Sequence, residues 1–167
     1  MLRPVCEWDL DWIKNERNRP ELRRTFRQPR LLTDLGQKKW YETTDMESFV
    51  VCNEHKNIGV VSLSHIDYIA RKCEFSIMII PEERHQGYGK RALYDLLDHA
   101  FNDLNMHQVF SDVFETNPEA LTKYVDWGFK IYGVLPQWYW KDGKYINSTI
   151  IAITKDEYNS LKQTVSE

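Results

Sequence analysis

The sequence has few cysteines and no long apolar segment, and each of these absences excludes a class of protein. The 167 residues include only Cys6, Cys52 and Cys73, which lie far apart and never form a Cys-x-x-Cys pair. This usage favours reduced thiols over a disulfide framework or a zinc site. No apolar run reaches the roughly 18 residues that a membrane span needs. The amino terminus also lacks the features of a secretory signal, so we expect a cytoplasmic chain with no membrane partner.

The composition is that of a globular protein, with 42% apolar residues and a net charge of -3. A chain of this length predicts a single domain over residues 1–167. Charge is unevenly distributed along the chain: residues 14–39 carry nine basic and three acidic side chains, a local net charge of +6. The two interpretations are a solvated helix surface and a patch that faces an anionic partner. The segment lacks the aromatic interleaving of a strand platform that stacks bases, and the net charge of the whole chain is negative, so no nucleic-acid partner is expected.

Hydrophobic periodicity predicts a short first strand, then helices that include Leu10, Ile13, Leu35 and Trp40, and from Ser48 onward mostly strands. The expected strands cover residues 2–6, 48–53, 57–68, 73–80, 108–114, 129–134 and 145–153. Lys141-Asp142-Gly143-Lys144 predicts a hairpin turn between the last two strands. The five histidines show no spacing suited to a metal, so no metal site is expected.

One stretch organises the chain. The apolar strand Ile77-Met78-Ile79-Ile80 leads into Arg84-His85-Gln86-Gly87-Tyr88-Gly89-Lys90, and an amphipathic helix follows. The first turn of a helix has unpaired amide N–H groups and partial positive charge, which together favour an anion. Glycines without a Cβ let a phosphate approach the backbone closely. The alternative interpretation is an ordinary strand-to-helix turn.

A second local signal is the helix start Asn117-Pro118-Glu119, in which Asn caps and Pro takes the first helical position. Tyr124 lies on this helix, and Gly128 marks its end.

Taken together, the two motifs identify a family. Arg84-His85-Gln86-Gly87-Tyr88-Gly89 resembles the pyrophosphate loop of the GNAT superfamily of acetyl-CoA-dependent N-acetyltransferases. About thirty residues on, the segment from Asn117 to Phe129 resembles the Asn-x-x-Ala-x-x-x-Tyr…Gly-Phe pattern of that superfamily. The resemblance covers roughly residues 49–158. It implies an α/β (α+β) fold with about seven mostly antiparallel strands, helices on both faces and a splayed central strand pair.

The resemblance also implies roles for individual residues. Acetyl-CoA would be the cosubstrate, with its pyrophosphate held by Arg84, His85, Gln86, Gly87, Tyr88, Gly89 and Lys90. The backbone of Ile77, Met78 and Ile79 would bond the pantetheine arm, and Asn117 would contact it. Tyr124 would point at the thioester sulfur and protonate the thiolate that leaves. The alternative for Tyr124 is a helix tyrosine packed on the core.

The chemistry also needs a base. An alkyl amine with a reference pKa near 10.4 must lose a proton before it attacks, at a cost of about 4–5 kcal/mol at pH 7. A carboxylate can take that proton directly or through a water. Glu74 is the favoured candidate, and Glu115 and His65 are the others. Each of them is open to a structural interpretation, as a solvated strand-end acid or a strand histidine.

The amine acceptor is the least determined part of the prediction. Arg17-Asn18-Arg19-Pro20-Glu21-Leu22-Arg23-Arg24 resembles the branch that contains ribosomal-protein N-terminal, spermidine and amino-sugar acetyltransferases. Arginines such as Arg19 and Arg23 suit phosphate and carboxylate, which favours a small amine on an anionic scaffold, such as a nucleotide-linked amino sugar. The alternatives are a polyamine, a protein N-terminus and a non-catalytic acetyl-CoA-binding module. Trp138 with its aromatic neighbours would line the acceptor pocket, support a homodimer contact or pack in the core.

Overall fold

The computed structural model of the protein describes residues 1–43 and 45–165. Within these residues, seven strands form one mixed sheet in the order β1-β2-β3-β4-β5-β7-β6, which confirms the predicted fold class. The strands are β1 (Leu2–Pro4), β2 (Glu47–Cys52), β3 (Asn57–Asp67), β4 (Lys72–Ile79), β5 (Gln108–Phe114), β6 (Lys130–Lys141) and β7 (Lys144–Thr154).

Six α-helices accompany the strands in the described part of the chain. They are α1 (Leu10–Asn18), α2 (Pro20–Arg23), α3 (Asp34–Thr43), α4 (Tyr88–Asp98), α5 (Pro118–Asp126) and α6 (Lys155–Val165). Across residues 1–43 and 45–165, none of them combines the length and the hydropathy that crossing a membrane requires.

Helix α6 is an element that the periodicity did not predict. Its start is a capping box, in which the Glu157 amide N–H donates to Thr154 Oγ1 over 3.3 Å. In return the Thr154 amide N–H donates to Glu157 Oε2 over 2.8 Å. The sequence signal for this helix is therefore Thr154-Lys155-Asp156-Glu157, directly after an apolar strand.

The chain divides into two compact units, and each is described here by itself. The first unit contains Met1–Ser64 and Ser76–Leu96, and the second contains His65–Phe75 and Leu97–Glu167. Strands β3 and β4 run from one unit into the other. A single domain over residues 1–167 stays a prediction.

The β4–β5 ladder is short, as expected for a central strand pair that opens. It contains three parallel pairs, from Lys72–Gln108 to Glu74–Phe110, all of them in the second unit. Strand β4 then continues to Ile79. Residues Ile77, Met78 and Ile79 therefore lie beyond the ladder, where their backbone groups take no part in it.

Each unit has its own buried apolar side chains. The first unit packs Val5, Leu10, Ile13, Leu22, Val50, Val60 and Met78 into one cluster. Gly59 on β3 is needed beside this cluster, because a Cβ there would lie 2.4 Å from the Met78 carbonyl oxygen. In the second unit Phe75 packs on Phe129, and Phe101 packs on Tyr158.

Strand β6 is longer than predicted, because it extends to Lys141 instead of ending at Val134. It is an edge strand of the sheet, where Pro136 removes no ladder hydrogen bond that a central strand would need. The predicted hairpin turn is confirmed, since Asp142 and Gly143 have φ values of 46° and 82°.

Candidate active site

The glycine loop lies in the first unit, between β4 and α4. After a 3₁₀ turn at Pro81–Glu83, the chain takes positive φ at His85 (62°) and Gly87 (83°), and α4 begins at Tyr88. The Gly87 carbonyl oxygen accepts from the Arg91 amide over 3.2 Å and so starts the helix. A Cβ built on Gly87 would meet nothing within 4 Å, so the backbone faces open space. This geometry fits a pyrophosphate at the start of α4.

Some side chains of this loop anchor it to neighbouring elements, and others are exposed to solvent. The Arg84 Nε donates to the Ile79 carbonyl oxygen over 3.1 Å, which ties the loop to the end of β4. The Glu83 carboxylate accepts from Lys56 Nζ over 2.7 Å. His85, Gln86 and Lys90 are exposed, as the anion-binding prediction requires.

Gly87→Ala is expected to weaken acetyl-CoA binding about tenfold, which corresponds to about 1.4 kcal/mol. An alanine is strained at φ 83°, and its methyl group would take up the open space where a phosphate would approach. Calorimetric titration measures the Kd. The matched control is Gly143→Ala, because Gly143 has φ 82° and equally open surroundings in a hairpin turn of the other unit. Equal affinity of the two variants for acetyl-CoA would contradict the role of the loop.

Helix α5 positions the predicted proton donor within the second unit. Its cap is Asn117, whose Oδ1 accepts from the Ala120 amide N–H over 3.3 Å. The amide group of Asn117 keeps its N–H donors for the predicted contact with the cofactor arm. The helix ends before Gly128, which has φ 97° and where a Cβ would lie 2.1 Å from Leu161 Cδ1 of α6.

The Tyr124 ring is half-buried among aromatic neighbours. Ring centroids lie 5.3 Å from Phe75, 5.6 Å from Trp127 and 5.9 Å from Phe129. Burial raises the pKa of the Tyr124 phenol to about 12. A phenol with this pKa keeps its proton at neutral pH, which is the state that a donor to a thiolate needs.

The structure separates the three candidates for the base. Glu74 on β4 is buried, whereas Glu115 follows β5 as an exposed residue. His65, the third candidate, contacts Glu74: its Nδ1 lies 2.9 Å from Glu74 Oε2. Sequence reasoning named both residues but not the contact between them.

Arg19 lies in a cluster of carboxylates in the first unit. Its guanidinium contacts Glu82 at 2.5 Å, Glu21 at 2.7 Å and Glu16 at 3.0 Å. Hydrogen bonding from Arg19 lowers the pKa of Glu82 to about 2, so this carboxylate is ionised at neutral pH. The three glutamates were not predicted as neighbours, although Glu16 stands one helical turn before Arg19. Arg23, the other predicted arginine, is half-buried at the end of α2.

This cluster borders an open groove of about 440 Å³. The groove is lined by Trp12, Glu16, Arg19, Lys56, Asn57, Ile80 and Glu82, all in the first unit.

The aromatic residues of β6 divide between surface and interior. Trp138 is 57% and Trp140 60% exposed, whereas the Tyr139 ring packs at 4.9 Å on Phe114. Core packing therefore describes Tyr139 only. In the described part of the chain, no group of three His, Cys, Asp or Glu side chains is arranged to hold a metal ion.

Comparison with known proteins assigns the family. Residues 1–130 match the model of the acetyltransferase (GNAT) domain. The chain is 32% identical over 163 residues to a spermidine N(1)-acetyltransferase of Vibrio cholerae. The matched region covers 94% of this chain and 94% of the relative. It is 29% identical over 162 residues to the spermidine N(1)-acetyltransferase of Escherichia coli K12, covering 94% of this chain and 87% of the relative.

Solved structures agree with these sequence relatives. The crystal structure of spermidine N-acetyltransferase from Vibrio cholerae in complex with CoA and spermine has a TM-score of 0.85 and 28% identity. It covers 95% of this chain and 97% of the other. The protein thus belongs to the GNAT acetyltransferase family. It is an N-acetyltransferase, and acetyl-CoA is its cosubstrate.

Proposed function

We propose that the enzyme acetylates a primary amine of a small polyamine of the spermidine class by direct attack on the thioester. The observation that carries this proposal is the carboxylate cluster around Arg19. Three glutamates and one arginine give the cluster a net charge of -2, and Lys56, which also lines the groove, is balanced by its ion pair with Glu83. Such a charge attracts a polycation and disfavours an anion. The likeness to spermidine acetyltransferases over 94% of the chain supports the same acceptor class.

The cluster also changes the interpretation of Arg19. A guanidinium recognises a phosphate through its N–H donors, and those of Arg19 already donate to carboxylates. The anionic amino sugar that Arg19 favoured in the sequence therefore loses this support. It remains the second candidate, because Arg23, Arg24, Arg27 and Arg30 form a basic run that suits an anionic scaffold.

We propose the following roles for the residues in the mechanism. Acetyl-CoA supplies the thioester carbonyl that the amine attacks. The glycine loop holds the pyrophosphate through the amides of the first turn of α4. Glu74 takes the proton of the amine, and Tyr124 donates one to the sulfur. Ile77, Met78 and Ile79 offer backbone groups beyond the β4–β5 ladder to the pantetheine arm.

Turnover of an acceptor panel tests this proposal. Thiol release is measured with spermidine, spermine, a nucleotide-linked amino sugar, free amino acids and a peptide with a free N-terminus. We expect kcat/KM to be highest for spermidine or spermine, and to fall as salt screens the carboxylate cluster. Higher kcat/KM for the nucleotide-linked amino sugar would favour the second candidate and reject the polyamine.

A further inference from the structure

The contact between His65 and Glu74 joins a buried carboxylate to the solvent. The Glu74 side chain is 8% exposed and the His65 side chain is 72% exposed, while Nδ1 and Oε2 lie 2.9 Å apart. A buried acid that takes a proton in each catalytic cycle must also release it. The imidazole is a titratable group that reaches from this carboxylate to water.

The backbone at His65 is unusual for a strand. Its φ is 49°, in the left-handed region that residues other than glycine seldom adopt. Backbone strain of this kind is found preferentially at functional sites. Conformation and contact are independent observations, and both single out the same residue.

We propose that His65 relays to water the proton that Glu74 takes from the attacking amine. The inference rests on the proposed role of Glu74 as the base. As the amine nitrogen bonds the acetyl carbon, its N–H bond breaks and an O–H bond forms on Glu74. The carboxyl proton passes to Nδ1 of the imidazole tautomer that carries hydrogen on Nε2. This transfer restores the ionised carboxylate. The resulting imidazolium loses its Nε2 proton to water and keeps the hydrogen on Nδ1. Proton exchange with water, which adds a proton at Nε2 and removes the one on Nδ1, returns the starting tautomer before the next cycle.

His65 thus acts through Glu74, and its role differs from that of a residue that only orients the carboxylate. An orienting residue needs one N–H donor, which a glutamine also provides. A relay needs a group that accepts a proton at one atom and releases one at another. Two substitutions therefore separate the roles. His65→Gln keeps an amide donor of similar reach, and His65→Gly suits the positive φ and leaves space for added imidazole.

The experiment measures kcat in weak buffer with saturating substrates. We expect both variants to lose roughly tenfold to 100-fold in kcat, with the Kd for acetyl-CoA and the thermal midpoint unchanged. Added imidazoles should restore His65→Gly turnover, with rates that depend systematically on the pKa of the imidazole added. Imidazole that only refilled a space would restore activity without that dependence.

The outcomes separate the relay from the proposed function. His65→Gln with wild-type kcat, or rescue that is independent of imidazole pKa, overturns the relay. Glu74→Gln is the reference variant, and we expect its turnover to be low and not to respond to imidazole. Wild-type turnover of Glu74→Gln would reject Glu74 as the base, and the relay with it. Low turnover of Glu74→Gln beside wild-type turnover of His65→Gly would reject the relay alone.

Discussion

Tyr124→Phe is expected to lower kcat about 10²- to 10³-fold, which lies within the range for the loss of a general acid. The ring that packs on Phe75 and Phe129 is retained, so only the phenol oxygen and its proton are removed. The Kd for acetyl-CoA should change less than about threefold, since a donor to the leaving sulfur acts mainly in the transition state. Steady-state kinetics and calorimetric titration measure the two quantities separately.

The pH dependence sharpens this prediction. Because burial raises the phenol pKa to about 12, roughly one Tyr124 in a thousand is ionised at pH 9. The ratio of wild-type to Tyr124→Phe kcat should therefore stay constant from pH 6 to pH 9. The control is Tyr158→Phe, a buried tyrosine that packs on Phe101 in the core of the same unit. A loss of kcat in Tyr158→Phe equal to that in Tyr124→Phe would mean that the phenol acts through packing.

Local patterns in the sequence predicted the parts of the site that depend on backbone geometry. Gly87 takes the positive φ before a helix, Asn117 caps the next helix, and Asp142-Gly143 closes a hairpin. Each of these features follows from the conformational preferences of neighbouring residues. They are encoded within a few positions, so a single sequence shows them.

The electrostatics of the site depends on residues that are distant in sequence. Arg19 contacts Glu82, 63 positions away, and the two lie on different elements. The excess of basic residues in the segment 14–39 is real, but it does not describe the surroundings of this arginine. His65 and Glu74 are close in sequence, yet strand periodicity predicts neither their contact nor the positive φ of His65. Tertiary structure, and not composition, therefore changes the expected acceptor and joins two candidates for the base.

The prediction with the largest expected effect on stability concerns a buried ion pair in the first unit. Asp9 is 2% exposed, and both of its carboxylate oxygens accept from the Arg3 guanidinium, at 2.6 and 2.7 Å. Asp9 also accepts from the Cys6 amide and from Asn57. We expect Arg3→Met to lower the free energy of unfolding by about 2–4 kcal/mol, because it leaves a buried carboxylate without its cation. The expected loss of free energy of unfolding is smaller than for a fully buried ion pair, since the Arg3 side chain is 36% exposed.

The stabilisation that the Arg3–Asp9 ion pair contributes should depend on pH. The hydrogen bond from Arg3 holds the pKa of Asp9 below its ordinary value, so the pair stabilises the fold above the unfolded pKa of about 3.9. That stabilisation is lost as pH falls through the lower folded value. Urea unfolding should therefore show the full difference between wild type and Arg3→Met at pH 7 and a smaller one near pH 3. Lys123→Met is the control, because its exposed pair with Glu119 should contribute at most about 0.5 kcal/mol. An equal cost for the two substitutions at pH 7 would show that burial of Asp9 adds nothing to the strength of its ion pair.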